Sequence, residues 1–433
     1  MMNPPFGAET DRFSEADARM RGLVVELEGL LAGRADSPTK AQLMDLCDLL
    51  YASSLLKEEG RAVRARLVVA PPDAFAVEDG PPEGVHAIRF AVPHPLTSNE
   101  VKRLSPAASF YHSVIAVWPD KGRGFRVWGI LNTGPRWMNL VAGGRKVAGA
   151  DLAYPIIHVR DPGWLLFYQD YRLLAEWRGR EFHGPRMDVF QSKLLSERFA
   201  DLRRQLVEEL RDDCLPETLS LEAYADLAHL IALQFVRRSI NLVRTSGHGG
   251  SLVLIPDDEE GRVAAEKWID CKYLLKEDGA GQRFRQLWQA IIRRVGQLSP
   301  AGASVEQAWQ VFRLSRDEEL DQLEESFFEL ARLLSDFMMV DGALVLDHRL
   351  GLVGFGGEIR VDRTVLYVEQ AHDLEGGSVS RWDVQGDGTR HRAVYRLCSV
   401  EPSVIGFVVS QDSQVRMIAN VYDSVMFWPH TVI

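Results

Sequence analysis

The sequence is poor in cysteine and has no long apolar run, and both absences limit the possible function classes. Its 433 residues include four cysteines, Cys47, Cys214, Cys271 and Cys398, none of which forms a CxxC pair. We therefore expect no disulfide framework and no structural zinc site, and we expect a reducing compartment. No stretch approaches the roughly 18 apolar residues that span a bilayer, and the first residues lack the basic start and apolar core of a signal peptide. The prediction is a cytoplasmic protein without a membrane partner.

The chain also lacks an excess of basic residues. It carries 50 Lys and Arg residues against 61 Asp and Glu residues, for a net charge of −11. Because general nucleic-acid binding normally needs a basic surface, we do not expect that function. A hydrophobic content of 46% with 26% charged residues is typical of a globular protein, and the length predicts two domains.

The hydrophobic pattern divides the chain into four parts. Residues 1–60 show helical spacing that is interrupted at Gly33 and at the turn Asp36-Ser37-Pro38, which predicts two helices. Residues 61–190 contain short β-type runs, and the runs at 113–118 and 125–131 predict a hairpin. Residues 191–214 are predicted to form a connecting helix, and residues 215–433 alternate between helical and strand patterns. The predicted fold is an α+β or mainly β N-terminal domain, followed by an α/β domain with a mixed sheet flanked by helices.

Two segments of the C-terminal part are predicted to lie outside its sheet. Residues 258–300 have the spacing of a helical insertion, and residues 360–386 have the composition of a surface insertion.

Asp341, Gly342 and Ala343 form the first chemically informative motif. A carboxylate oxygen can hold a hard divalent cation, and a glycine lets a ligand approach the backbone closely. Taken alone, the tripeptide is more often a turn between a helix and a strand.

A second motif, Gly388-Thr389-Arg390-His391-Arg392, stands where a loop is predicted to lead into a helix. Backbone N–H groups and the helix dipole favour an anion at such a position, and arginines present planar donors to phosphate oxygens. The alternative is a basic helix turn on the surface. Cations at a helix N-terminus oppose the dipole, however, so that placement is mildly unfavourable without an anion.

A second carboxylate, Asp412, follows Ser410 and Gln411 at the end of the predicted strand VIGFVV. Upstream, Gly249 and Gly250 begin another predicted strand, at a point where a ligand could approach the backbone. A helix C-cap followed by a strand start explains these glycines equally well.

In this order, the motifs resemble those of the diadenylate cyclase domain found in the DNA-integrity scanning protein and its relatives. The resemblance covers residues 215–433 and rests on GHGGSLVLIPD (247–257), DGALVLD (341–347), GTRHRAV (388–394) and VVSQD (408–412). It implies an enzyme that converts two ATP molecules into cyclic di-AMP and pyrophosphate. It also implies that the N-terminal part is a sensor-like domain, whose small ligand or protein partner the sequence does not name.

The resemblance further implies roles for individual residues. Asp341 and Asp412 would hold Mg²⁺ or Mn²⁺, and Asp341 would orient the attacking 3′-hydroxyl. Self-association of facing cyclase domains would follow from the two-fold product. The residues implied in contacts with phosphate, pyrophosphate or nucleotide are Arg390, His391, Arg392, Gly342, Ala343, Gly388, Thr389, Ser410, Gly249 and Gly250.

Two alternatives remain open at this point. Gln411 replaces the first acid of the family's Ser-Glu-Glu-like segment. That replacement favours a catalytically inactive sensor that binds a nucleotide or a cyclic dinucleotide. The second alternative is a cyclase that makes a different nucleotide product, since the motifs do not identify the base.

Overall fold

The computed structural model divides into two compact units. Unit 1 comprises Met1–Val141, Lys146–Pro185 and Ile433, and unit 2 comprises Ala142–Arg145 and Arg186–Val432. The residues that the structure describes are 7–33, 36–76, 84–108, 112–120, 124–133, 144–145, 154–169, 172–179, 181–183, 187–200, 203–204, 208, 215–258, 263, 266–275, 279–411 and 413–430.

Unit 1 is built around an eight-stranded sheet in the order β10-β9-β8-β7-β3-β5-β6-β4. Strands β3 and β5 are parallel, and the other neighbours are antiparallel. The predicted hairpin is confirmed as β5 paired with β6. The strands are β1 (Lys57–Glu58), β2 (Arg61–Ala62), β3 (Ala65–Val69), β4 (His86–Pro95), β5 (Ser113–Asp120), β6 (Gly124–Asn132), β7 (Pro155–Asp161), β8 (Trp164–Gln169), β9 (Arg172–Arg178) and β10 (Glu181–His183).

The helices of unit 1 are α1 (Gly7–Leu31), α2 (Lys40–Ser54) and α3 (Ser98–Leu104). The predicted break between the first two helices is confirmed. Thr39 begins α2 with a capping box, in which its side chain accepts from the Gln42 N–H while the Gln42 side chain accepts from the Thr39 N–H. Burial of Cys47 on α2 raises the pKa of its thiol to about 12, so this cysteine is unreactive near neutral pH.

Unit 2 contains a nine-stranded mixed sheet in the order β12-β14-β13-β11-β17-β18-β19-β15-β16. The pairs β11–β13 and β15–β19 are parallel. The strands are β11 (Gly250–Ile255), β12 (Ile269–Leu274), β13 (Ala343–Asp347), β14 (Leu352–Ile359), β15 (Tyr367–Ala371), β16 (Val379–Asp383), β17 (Ile405–Val409), β18 (Val415–Val421) and β19 (Ser424–His430).

Helices cover both faces of this sheet, as predicted for the C-terminal part. Along β11, Leu252 and Leu254 pack into one core, whereas Val253 and Ile255 pack into a second core on the opposite face. A strand buried on both faces reads as a continuous apolar run. The helices are α4 (Lys193–Arg198), α5 (Leu221–Ser246), α6 (Gly279–Leu298), α7 (Val305–Leu314), α8 (Glu318–Met338) and α9 (Thr389–Val400).

Two predictions about segments outside the sheet are wrong. Residues 258–300 include β12, which pairs with β14 at one edge before α6 begins. Residues 360–386 include β15 and β16, which form the opposite edge. Both edges carry charged and exposed side chains, so the apolar pattern of a buried strand is absent.

The predicted connecting helix at 191–214 is only partly described. Helix α4 ends at Arg198, and the residues 201–202, 205–207 and 209–214 lie outside the described ranges. Across the part of the chain that the structure describes, no helix combines the length and the apolar character needed to cross a bilayer.

Candidate functional site

A cleft of about 870 Å³ lies in unit 2, where four sheet strands, β11, β13, β14 and β17, meet the start of α9. It brings together the residues around Asp341, the start of α9 and the end of β17. The predicted site residues that line it are Asp341, Gly342, Ala343, Gly388, Thr389, Arg390, His391 and Ser410.

The strand order explains why these distant segments converge. Strand β11 is parallel to β13 and antiparallel to β17, with Leu252 opposite Leu344 and Gly250 opposite Val409. The start of β13 and the end of β17 therefore lie at the same edge of the sheet as the start of β11. Asp341 and Ser410 are the residues just beyond those strand ends.

Gly342 shapes the turn that carries Asp341. Its φ of +110° is unfavourable for a residue with a Cβ atom, and a Cβ there would lie 2.5 Å from the carbonyl carbon of Gly356. The Gly342 carbonyl accepts a hydrogen bond from the Ser251 hydroxyl at 3.1 Å. This turn presents the Asp341 side chain at the cleft with 95% of its surface exposed.

The start of α9 also lines the cleft. Gly388 is the N-cap residue and supplies no side-chain cap, so the first N–H groups of the helix are not satisfied in that way. The Arg390 guanidinium Nη2 lies 3.7 Å from the Asp341 carboxylate Oδ1. An exposed pair at that distance contributes little stability, so both groups can turn toward a ligand. Together they suit an anion that carries a cation with it.

The glycines at the start of β11 do not line the cleft. A Cβ at Gly249 would lie 2.9 Å from Arg390 Nη1, so this glycine leaves room for the arginine. A Cβ at Gly250 would lie 2.7 Å from the Met338 carbonyl oxygen, so Gly250 allows β11 and the end of α8 to pack closely. Both glycines support the site indirectly.

Two other predicted residues are not placed in the cleft. Arg392 is exposed and does not line it. Asp412 lies outside the described residues.

Arg396 lines the cleft and was not among the predicted residues. Its Nε atom is buried and has no hydrogen-bond partner among the described residues. Thr389, Ala393 and Arg396 follow the i, i+4, i+7 spacing of one helix face, so the helix phase could have identified it. The remaining residues that line the cleft are Ser251, Gly357, Glu358, Ile359, Ala393, Val408, Val409 and Gln411.

The cleft suits a cation that arrives with a phosphate better than a cation held by protein ligands alone. Within the described ranges, no cluster of three or more His, Cys, Asp or Glu side chains is arranged to hold a metal ion. Mg²⁺ commonly uses one or two carboxylates and takes its remaining ligands from water and substrate phosphates. The exposed Asp341 carboxylate fits that requirement.

Residues 32–132 match the family model described as "Probable sensor domain DACNV". The match ends at the last residue of β6. The sensor-like character predicted for the N-terminal part is thereby confirmed over this range. No curated protein matches the chain.

Proposed function

We propose that unit 2 is a diadenylate cyclase that condenses two ATP molecules into cyclic di-AMP and two pyrophosphates, under the control of the N-terminal sensor-like domain. The observation that carries the proposal is the convergence of Asp341, the start of α9 and Ser410 on one cleft. These are the segments whose sequence resembles the cyclase motifs.

The start of α9 is proposed to hold the triphosphate. Its uncapped N–H groups and the positive end of the helix dipole favour an anion. Arg390 adds a planar donor beside that end, and Arg396 adds another from the helix face that also carries Thr389 and Ala393. The leaving pyrophosphate would remain neutralised by the same groups as the bond to the α-phosphorus breaks.

Asp341 is proposed to act at the attacking 3′-hydroxyl, beside the Arg390 guanidinium at the helix start. Asp341 and, by resemblance, Asp412 would hold Mg²⁺ or Mn²⁺, which when bound lowers the pKa of a coordinated hydroxyl and neutralises phosphate charge. The protein itself contributes mainly positioning and charge, as is usual when a nucleotidyl group is transferred without a covalent enzyme intermediate.

The two-fold product requires two facing cyclase domains. Each ATP contributes one 3′-hydroxyl and one α-phosphate, so one domain with one ATP cannot close the ring, and an isologous pair can. The exposed Arg392 would then have a phosphate to bind across the pair.

We expect cyclic di-AMP formation per mole of protein to fall on dilution, in parallel with the dimer fraction from light scattering. Constant specific activity in a monomeric sample would contradict the pairing.

A non-catalytic nucleotide-binding role is the second candidate function. Gln411 lines the cleft where the resembling family carries a carboxylate. A neutral amide there lacks the negative charge with which a carboxylate binds a metal ion, whereas it can hydrogen-bond a base or a ribose.

Incubation with α-labelled ATP separates the two candidates. The full chain would be incubated with Mg²⁺ or Mn²⁺, products would be resolved by chromatography, and ATP binding would be measured by calorimetry on the same sample. Labelled cyclic di-AMP supports the cyclase. ATP binding without any product at high protein concentration supports the second candidate, and a labelled product of another mass indicates a different nucleotidyl transfer.

Replacement of Arg396 with Gln should weaken ATP binding by about tenfold or more, because a charge-assisted hydrogen bond contributes about 1.5–3 kcal/mol. Calorimetric titration with ATP measures this effect. Arg363→Gln is the matched control, since Arg363 is exposed and donates to the Ser399 carbonyl near the other end of α9. Equal losses in both variants would show that Arg396 acts through the helix and not through the nucleotide.

A further inference from the structure

Asp387, the residue before the N-cap Gly388, is the acceptor of a compact hydrogen-bond network. Its Oδ2 atom accepts from Trp382 Nε1 at 3.0 Å, from the Tyr395 hydroxyl at 3.0 Å and from Arg416 Nη1 at 2.7 Å. These donors come from β16, α9 and β18 respectively. The network therefore fixes the residue from which the phosphate-facing end of α9 begins.

The inner part of the network is buried and electrostatically matched. The Asp387 and Arg416 side chains are 8% and 11% exposed, and Arg416 Nη1 also donates to the Tyr395 hydroxyl at 2.7 Å. The Arg416 guanidinium lies 4.4 Å from the centre of the Phe427 ring. Burial raises the pKa of the Tyr395 hydroxyl, which keeps it protonated and able to donate to Asp387.

The outer part of the network belongs to the edge hairpin formed by β15 and β16. All five residues of β16 are exposed, and this strand pairs only with β15 among the described strands. The Trp382 ring lies 5.2 Å from the Arg416 guanidinium, and its Nε1–H reaches Asp387. An exposed edge hairpin is thus tied directly to the residue that precedes the helix start.

We infer that Trp382 is a positioning residue, through which the β15–β16 hairpin holds Asp387 and the start of α9 in the geometry that binds the triphosphate. This inference rests on the proposed function of the cleft. Donors aimed at a phosphate must stay within about 0.5 Å of the productive geometry to keep their strength. Because the β15–β16 hairpin holds Asp387 in place, it limits the motion of the donors at the start of α9. The hairpin at the edge of the sheet thereby has a role at the cleft.

The test is calorimetric titration of the full chain with ATP and, separately, with AMP. Trp382→Phe removes the N–H donor and keeps an aromatic ring, at a residue that is 36% exposed. The expected result is a three- to tenfold loss of ATP affinity, which is about 0.7–1.4 kcal/mol, with a smaller loss for AMP, which lacks the outer phosphates. A role in stability alone would weaken both ligands equally.

Tyr367→Phe is the matched control on the same hairpin. The Tyr367 ring contacts Arg381, the residue is 47% exposed, and no hydrogen bond joins its hydroxyl to Asp387. This variant should bind both ligands as the wild type does. If the wild type binds ATP and Trp382→Phe binds it equally well, the positioning role is wrong while the cyclase proposal stands. If the wild type binds no ATP, the proposed function fails and this inference fails with it.

Discussion

Replacement of Asp341 with Asn should lower the rate of cyclic di-AMP formation by at least about a hundredfold, while unit 2 stays folded. The variant keeps the size of the side chain and removes the charge that faces the start of α9. Because the side chain is 95% exposed and its ion pair with Arg390 is long, at 3.7 Å, the free energy of unfolding should change by less than about 0.5 kcal/mol. Product chromatography and urea unfolding of the same preparation measure both quantities.

Asp336→Asn is the control for this prediction. Asp336 is exposed on α8, does not line the cleft and undergoes the same chemical change. It should leave the rate of product formation unchanged. A fully active Asp341→Asn variant would remove Asp341 from the chemistry, and an equal loss in both variants would point to a general effect of surface charge.

Replacement of Gly342 with Ala should lower the free energy of unfolding by about 2–4 kcal/mol and should abolish nucleotide binding. The added Cβ would meet two obstacles: a φ of +110° and the Gly356 carbonyl carbon at 2.5 Å. To relieve the overlap, the turn must move away from β14, and Asp341 moves with it. Urea unfolding and ATP calorimetry measure the two effects.

Gly302→Ala separates the two obstacles. Gly302 has a φ of +76°, but a Cβ there would have no neighbour within 4 Å. This variant should lower the free energy of unfolding by about 1–2 kcal/mol, from backbone conformation alone, and should leave ATP binding intact. Equal losses of unfolding free energy at the two positions would show that the close approach to Gly356 contributes nothing, which would contradict its proposed role in shaping the turn.

The parts of the site that the sequence predicts are those set by local conformation. The start of α9 follows from Gly388 and the amphipathic run after it, and the turn at Asp341 follows from an Asp-Gly pair between a helix and a strand. The phase of a helix decides which side chains face a ligand. The motif pointed to Arg392, whereas the helix places Arg396 at the cleft.

The parts that the sequence could not predict depend on non-local pairing. Strand β11 pairs with β13 and β17, which lie about ninety or more residues further along the chain. No local sequence pattern specifies this strand order. The edge strands β12 and β16 were missed because their exposed, charged residues do not follow a buried pattern. The network around Asp387 depends on one of these edge strands.

In unit 1 the same distinction holds. The β5–β6 hairpin could be predicted because a glycine-bearing segment separates two apolar runs in the sequence. The position of β3 between β5 and β7 could not, because it brings together strands far apart in the chain.

The most direct test of the central claim is the mass spectrum of the product formed from an equimolar mixture of unlabelled ATP and uniformly isotope-labelled ATP. Condensation of two ATP molecules predicts cyclic di-AMP in three mass forms: unlabelled, half-labelled and fully labelled. The half-labelled form should be twice as abundant as either of the other two. A product that shows only an unlabelled and a fully labelled mass would mean that one nucleotide is cyclised on itself. That result, or the absence of any cyclic product while ATP is bound, would contradict the proposed diadenylate cyclase.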